Sequence, residues 1–82
     1  MNVEVLLFGP QAAMVGARRL RVEVDSDHPT AEQVCQALSR HAPALRASLS
    51  SSRLAVNQSF AGPGQRVGPD DEVALIGMVS GG

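Results

Sequence analysis

Few residues in this 82-residue chain carry reactive groups, and their spacing removes most of the chemistry they could support. His28 and His41 have no cysteine or carboxylate partners at ligand spacing, so they read as a turn histidine and a helix-end histidine rather than as a metal site. Cys35, the single cysteine, falls on an apolar helical stripe, where a thiol behaves as a small inert hydrophobe. All seven basic residues are arginine, so side-chain Schiff-base and amine-acylation chemistry is absent from the chain. Gly62-Pro63-Gly64 is too short for a phosphate cradle and lacks the following Lys-Ser/Thr, which leaves a plain turn. Asp70-Asp71-Glu72 reads as a solvated turn, or as an acidic edge able to guide a basic partner. What remains is the end of the sequence, Gly81-Gly82. A diglycine has no Cβ, so it can thread a channel that any side chain would block, and its carbonyl is open to a nucleophile from either side. The α-carboxyl, with a pKa of about 3.3–3.7, is ionised near neutral pH and unreactive until another enzyme activates it.

The elements that must present such an end follow from apolar patterning. Val3 to Phe8 is an apolar run rich in strand formers, closed by Gly9-Pro10 and apolar on both faces after Glu4, as befits a strand that is central in its sheet or one whose outer face a partner covers. Gln11 to Val15 is a small apolar patch, read as one helical turn ending at Gly16. Leu20 to Val24 alternates apolar and polar and pairs with the first strand as a hairpin. Thr30-Ala31-Glu32-Gln33 fits a capping box, and Ala31, Val34, Cys35, Leu38 and Ala42 then follow the spacing of one buried helical face. Pro43 limits that helix and can open a short second one carrying Leu45 and Leu49. Leu54-Ala55-Val56 is a third strand, Asn57-Gln58 a tight turn into Ser59-Phe60, and Glu72 to Ile76 the last strand. The order predicts an α+β fold: a mixed sheet of about five strands on one main helix, with the first and last strands parallel in the middle. This is the ubiquitin-like β-grasp, over residues 1–76, with 77–82 a flexible tail ending in Gly-Gly.

Composition narrows the function classes. At 8.6 kDa there is one domain, and 44% hydrophobic with 18% charged residues is enough to build a core. A net charge of -1, with Phe8 and Phe60 the only aromatics, gives neither the field nor the stacking platforms for nucleic acid. No run approaches a membrane span, and the Met1-Asn2-Val3-Glu4 start lacks the basic region of a signal peptide. With a lone cysteine, a cytoplasmic location is expected.

The chain resembles the small, sulfur-carrying subunits of molybdopterin synthase over essentially its whole length. The resemblance rests on Val5-Leu6-Leu7-Phe8 with Gly16, on Ala55-Val56-Asn57-Gln58, on Pro69-Asp70-Asp71-Glu72-Val73-Ala74, and on Val79-Ser80-Gly81-Gly82. It implies that Gly82 is adenylated by an ATP-dependent, E1-like adenylyltransferase and converted to a C-terminal thiocarboxylate. It further implies that no cofactor is bound, the acyl adenylate being transient, and that Val79, Ser80 and Gly81 form the segment entering the large subunit, where the sulfur would attack the cyclic pyranopterin precursor and two deliveries would build the dithiolene. On the same resemblance the large subunit is expected to supply the catalytic side chains, in a heterotetramer of two small and two large chains, with this chain as a co-substrate subunit.

Strand parity puts Val3, Val5, Leu7, Val73 and Leu75 against the helix and Leu6, Phe8, Ala74 and Ile76 on the open side. Phe8, Phe60 and Ile76 match the hydrophobic contact positions of the resembled family, so both arguments choose one face for the partner. Burying three such side chains at roughly 1.5–3 kcal/mol each is ample to hold a heterodimer. The chain departs from that family at Gly77-Met78, where a proline pair is common, and at Ala12-Ala13, where an Arg-Glu pair is common. Glycine at 77 adds an ordering cost of roughly 0.5–1 kcal/mol relative to alanine. Three other readings stay open: a carrier delivering sulfur to thiazole, cysteine or another metabolite, a ubiquitin-like protein modifier, and a plain interaction module.

Overall fold

The computed structural model describes residues 1–78. Strand β1, Asn2–Leu6, alternates exposed and buried residues, with Val3 and Val5 inside. The chain stays extended through Leu7 and Phe8, so the alternation continues past the last ladder pair: Leu7 is buried and Phe8 is 53% exposed. Phe8, at φ -133° and ψ 156°, precedes helix α1, Gly9–Val15. The helix is longer than the single turn expected from Gln11, because Pro10 lies in its first turn, where a missing N–H and a fixed φ cost nothing. Gly16 ends it at φ 79°, a left-handed position that disfavours any Cβ, and donates its N–H to the Ala12 carbonyl at 2.8 Å.

Strand β2, Arg19–Glu23, runs antiparallel to β1 with Val22 opposite Val3. Helix α2, Ala31–His41, then crosses the sheet. Every donor of its first turn has an acceptor. Thr30 Oγ1 accepts from the Gln33 N–H at 3.2 Å and Gln33 Oε1 from the Thr30 N–H at 2.9 Å, the expected capping box. The Ala31 and Glu32 N–H groups donate to the carbonyls of Gln65 and Pro63 at 2.8 and 3.1 Å. The Gly62-Pro63-Gly64 turn thus helps cap α2. The buried stripe runs Ala31, Val34, Ala37, Leu38, so Ala37 rather than Cys35 faces the sheet, and Cys35 is only half-buried at the stripe's margin. Burial, with a contribution from Glu32, pushes the Cys35 thiol up, which keeps it protonated and a poor nucleophile at neutral pH.

A 3₁₀ turn at Pro43–Leu45 and helix α3, Arg46–Leu49, return the chain to the sheet, with Leu45 fully buried. Strand β3, Ser52–Val56, starts two residues before the expected Leu54; β4 is Ser59–Phe60 and β5 is Val73–Gly77. The strand order is β2-β1-β5-β3-β4. β5 pairs parallel with β1, Val5 opposite Val73 and Leu6 opposite Ala74, and antiparallel with β3, Ser52 opposite Gly77. This is the expected β-grasp. The tail boundary expected at residue 77 falls inside β5: Gly77 is in the ladder, and the Met78 N–H donates to the Ser51 carbonyl at 2.8 Å. No helix among the described residues is long and apolar enough to cross a membrane.

Between β3 and β4, Asn57 and Gln58 take positive φ values of 52° and 68°, the left-handed pair a two-residue hairpin turn demands. Asn57 Nδ2 donates to Asp71 Oδ1 at 2.9 Å, and Asn57 Oδ1 accepts from the Glu72 N–H at 2.9 Å. Asp71 Oδ2 accepts from the Gly68 N–H at 2.7 Å. The expected acidic run is therefore split, since Asp71 turns inward as the clamp between this hairpin and the loop before β5. The Gly68 N–H, and secondarily the Asn57 amide, hold the Asp71 carboxyl below the ordinary aspartate value of 3.8.

Two outcomes test these local causes. Thr30→Ala removes half of the capping box and should cost about 1 kcal/mol in urea unfolding, lowering Tm by roughly 4–8 °C. Because the folded-state pKa of Asp71 lies below its unfolded value, the clamp's stabilisation is fully present above 3.8 and is lost as pH falls through the folded value. Asp71→Ala should therefore have a lower urea midpoint than the parent at neutral pH, with the gap narrowing as pH falls below 3.8.

Candidate functional site

One face of the sheet carries α2 and the core; the other carries an apolar surface. Val3, Val5, Leu7, Val73 and Leu75 are each at most 3% exposed, as parity requires of the helix side. On the opposite side the same parity brings together Leu6 at the end of β1, Phe8 two residues on, Ala74 and Ile76 on β5, and Ala55 on β3. Ala74, expected on the open face, does lie there but is 7% exposed, as is Ala55. Both line a concavity of about 400 Å³ walled by Phe8, Phe60 and Ile76, with Gln58 and Glu72 as its polar members. The two small residues let the larger side chains stand above them, which makes a depression rather than a flat patch.

A second concavity of about 420 Å³ adjoins the first, with Phe8 and Ile76 common to both. Its other walls are Met14 of α1, Ser51 and Ser52 at the start of β3, and Gly77 and Met78 at the end of β5. All four large apolar side chains left exposed among the described residues, Phe8, Met14, Phe60 and Met78, line one of these two depressions. A continuous apolar surface of this kind marks an interaction site. Arg53, opposite Ile76 in the ladder, places its guanidinium 4.8 Å from the centroid of the Phe60 ring, giving the apolar centre a charged rim.

The neighbouring part of the sheet is polar. Leu6 and Glu4 of β1, Arg19 and Arg21 of β2, and the 68–73 loop line a further depression of about 520 Å³. Glu4 stands 3.7 Å from Arg19 and 3.8 Å from Arg21, in exposed pairs worth at most about 1 kcal/mol each.

The structure brings Phe8, Phe60 and Ile76 together, as the sequence argument requires of a contact face. Val79, Ser80, Gly81 and Gly82 lie outside the described residues. The sequence reading missed three contributors. Met14 and Met78 flank Phe8, and Gln11, inside the apolar patch after the first strand, is a buried polar side chain at 5% exposure. Met14 had a signal, an apolar residue in a short helix with no core periodicity; Gln11 had none, since glutamine in a surface connection is ordinarily solvated. His28 and His41 are exposed and far apart in the fold's order, and no three metal-binding side chains cluster among the described residues.

Comparison with known proteins gives a consistent set of relatives. The ThiS family model matches residues 5–82. The chain is 30% identical over 81 residues to a molybdopterin synthase sulfur carrier subunit of Dictyostelium discoideum, covering 96% of this chain and 94% of that one. It superposes on the crystal structure of SAMP1 from Haloferax volcanii with a TM-score of 0.84 and 30% identity, covering all of both chains. A complex of subunits 1 and 2 of molybdopterin-converting factor from Helicobacter pylori contains a chain of the same fold, at TM-score 0.67 and 20% identity, again with 100% coverage of both chains. A β-grasp sheet with this strand order, matched from its first strand to Gly82, places the chain in the ThiS family.

Proposed function

We propose that this protein is a sulfur carrier, the small subunit of a molybdopterin synthase. The observation that carries the reading is the continuity of the apolar face with the exit of β5. Ile76, Gly77 and Met78 line the same surface as Phe8, so a partner that covers the face also receives the chain where it departs toward Gly82. Four further residues span at most about 14 Å, so the active site that Gly82 serves must lie close to the docked face.

The chemistry follows from the carboxylate. Its oxygen attacks the α-phosphorus of ATP on an E1-like activating enzyme, pyrophosphate leaves, and the acyl adenylate then carries a good leaving group. A sulfur nucleophile displaces AMP to give the thiocarboxylate. Docked on the large subunit by Phe8, Phe60 and Ile76, the chain presents that sulfur to cyclic pyranopterin monophosphate, and a second loaded chain completes the dithiolene. Val79, Ser80 and Gly81 line the approach, and the absence of a Cβ at both glycines keeps it narrow. The catalytic side chains belong to the large subunit, the assembly is a heterotetramer, and the compartment is the cytoplasm.

A second reading has its own support. SAMP1 of Haloferax volcanii, a small archaeal modifier protein, matches at the same 30% identity as the carrier subunit. In that reading the activated Gly82 is passed to an amine of a target protein. The chain has no lysine of its own, so it cannot be extended through its own side chains.

Intact mass of the protein drawn gently from its own cells separates the two. Exchange of one oxygen for sulfur, with a larger pterin-binding chain co-purifying, supports the carrier; a ladder of isopeptide-linked targets without the exchange supports the modifier. Deleting Gly82 should abolish sulfur transfer and leave the circular dichroism and melting curve unchanged, and transfer retained by the deletion refutes the assignment. Phe8→Arg or Ile76→Arg should give a folded monomer whose Kd for the large subunit is weaker by at least about tenfold, as expected when an anchor worth about 1.5–3 kcal/mol is replaced by a charge. Titration calorimetry checks this.

A further inference from the structure

β5 loses its neighbours in steps. Its parallel pairing with β1 involves only Val73 and Ala74, because β1 ends at Leu6. On the β3 side, the Asn57 N–H donates to the Glu72 carbonyl and the Met78 N–H to the Ser51 carbonyl, both at 2.8 Å. Hydrogen-bonded pairs alternate with non-bonded ones along an antiparallel ladder, so Gly77 and Ser52, between these positions in register, form a non-bonded pair. Gly77 is thus in the sheet without a ladder bond to β3 and beyond the reach of β1.

Gln11 of α1 instead covers the helix-side face of the sheet at that position, the face shared by Val73 and Leu75. A Cβ at Gly77 would lie 3.5 Å from Gln11 Oε1 and 3.6 Å from its Cδ, ordinary contact distances, so the amide group stands over the face of Gly77 to which a side chain would point. The other end of the same amide is anchored. Gln11 Nε2 donates to Ser52 Oγ at 2.7 Å and to Ser48 Oγ at 3.2 Å. Both hydroxyls pass the chain on to backbone: Ser52 Oγ donates to the Ser48 carbonyl at 2.7 Å and Ser48 Oγ to the Leu45 carbonyl at 2.9 Å. A buried amide with satisfied donors has little rotational freedom, so the surface it offers to Gly77 is fixed relative to α1, the 3₁₀ turn and the start of β3.

We propose that Gln11 is a positioning residue that sets the line along which the chain leaves β5 toward Gly82. Its consequence for sulfur delivery rests on the carrier reading; its consequence for the β3–β5 corner does not. A residue that merely filled the core would change the stability of the whole sheet, whereas a positioning residue changes the end of β5 alone.

The test is amide hydrogen exchange by NMR on the full chain carrying Gln11→Met, which keeps length and bulk but removes the amide. The Met78 N–H should exchange at least about tenfold faster, with the Val5 and Leu75 amides staying within about twofold of the parent. Uniform acceleration across the sheet, or an unchanged Met78, overturns the proposal. The double variant Ser48→Ala/Ser52→Ala removes both acceptors without altering α1; it should reproduce the localised pattern, and its failure to do so also overturns the proposal. In the loaded complex, Gln11→Met should slow transfer about tenfold at saturating large subunit, a condition that removes any difference in affinity, because misplacement of a reacting group acts on the transfer step. Unchanged transfer, or a loss explained wholly by weaker binding, refutes the part concerning delivery. If the parent chain carries no thiocarboxylate, the carrier reading fails while the exchange measurement still decides what Gln11 does.

Discussion

The parallel pairing of β1 with β5 is the constraint on which the rest depends. Side chains alternate along a strand, so the register Val5 opposite Val73 and Leu6 opposite Ala74 fixes two surfaces at once. It gathers Val3, Val5, Leu7, Val73 and Leu75 beneath α2 and leaves Phe8, Ala74 and Ile76 on the far side. A slip of one residue would turn Val73 and Leu75 outward and lose about 1.5–3 kcal/mol for each, which is comparable with much of a small domain's net stability. The register is therefore held by the core, and the outer apolar face is specified by the same interactions at no separate cost. The pairing also brings the last strand beside the first connection, which is why the exit toward Gly82 opens next to Phe8 and not at an unrelated edge.

The outer apolar surface conflicts with solubility unless something limits what it can stick to. Ala55 and Ala74 keep it concave, and Arg53, Glu72 and Gln58 surround the deeper part with polar groups. At one sheet edge, β2 sets Arg19 and Arg21 on the open side with Glu4 between them on β1, and at the other, β4 is only two residues long. Charged and short edges discourage strand addition from another copy. The anchors remain available to a partner of complementary shape while non-specific sheet growth is suppressed.

Much of this was legible in the residues. Period-2 alternation gave β2, the Thr30 to Gln33 box gave the start of α2, and parity alone chose the faces for Phe8 and Ile76. The failures have local causes. Gly9-Pro10 has the signature of a breaker, yet proline at the first turn of a helix is as compatible with starting α1 as with ending β1. Ser51-Ser52-Arg53 has no apolar signal, so the first half of β3 is specified only by its tertiary pairing with Ile76 and Gly77. Cys35 and Ala37 sit at opposite margins of one helical stripe, and which of them is covered depends on how α2 lies on the sheet, a tertiary fact. Gln11 was invisible for the strongest reason: its partners Ser48 and Ser52 are 37 and 41 residues away. The glycine pair was legible only as chemistry, since a sequence can name a carboxylate without placing it.

Phe8 and Phe60 reach the same depression by different devices, and the difference bears on how a partner is recognised. Phe8 is set by the junction of β1 and α1, where an extended residue precedes a proline-started helix capped by Gly16. Phe60 is set by a two-residue turn that needs two left-handed residues, neither of them glycine, and that Asp71 holds through Asn57. Holding Asn57 and Gln58 there costs of order 1–3 kcal/mol each, so the turn persists only because the Asp71 clamp and the β3–β5 ladder over-determine it. Both anchors are thus fixed by backbone geometry before any partner arrives. A partner that covered this face would not have to order the face's backbone, which leaves more of the free energy of burying Phe8, Phe60 and Ile76 for association. The same rigidity makes the separation of the anchors a specificity device: a partner whose pockets are spaced for another arrangement cannot be accommodated by repacking.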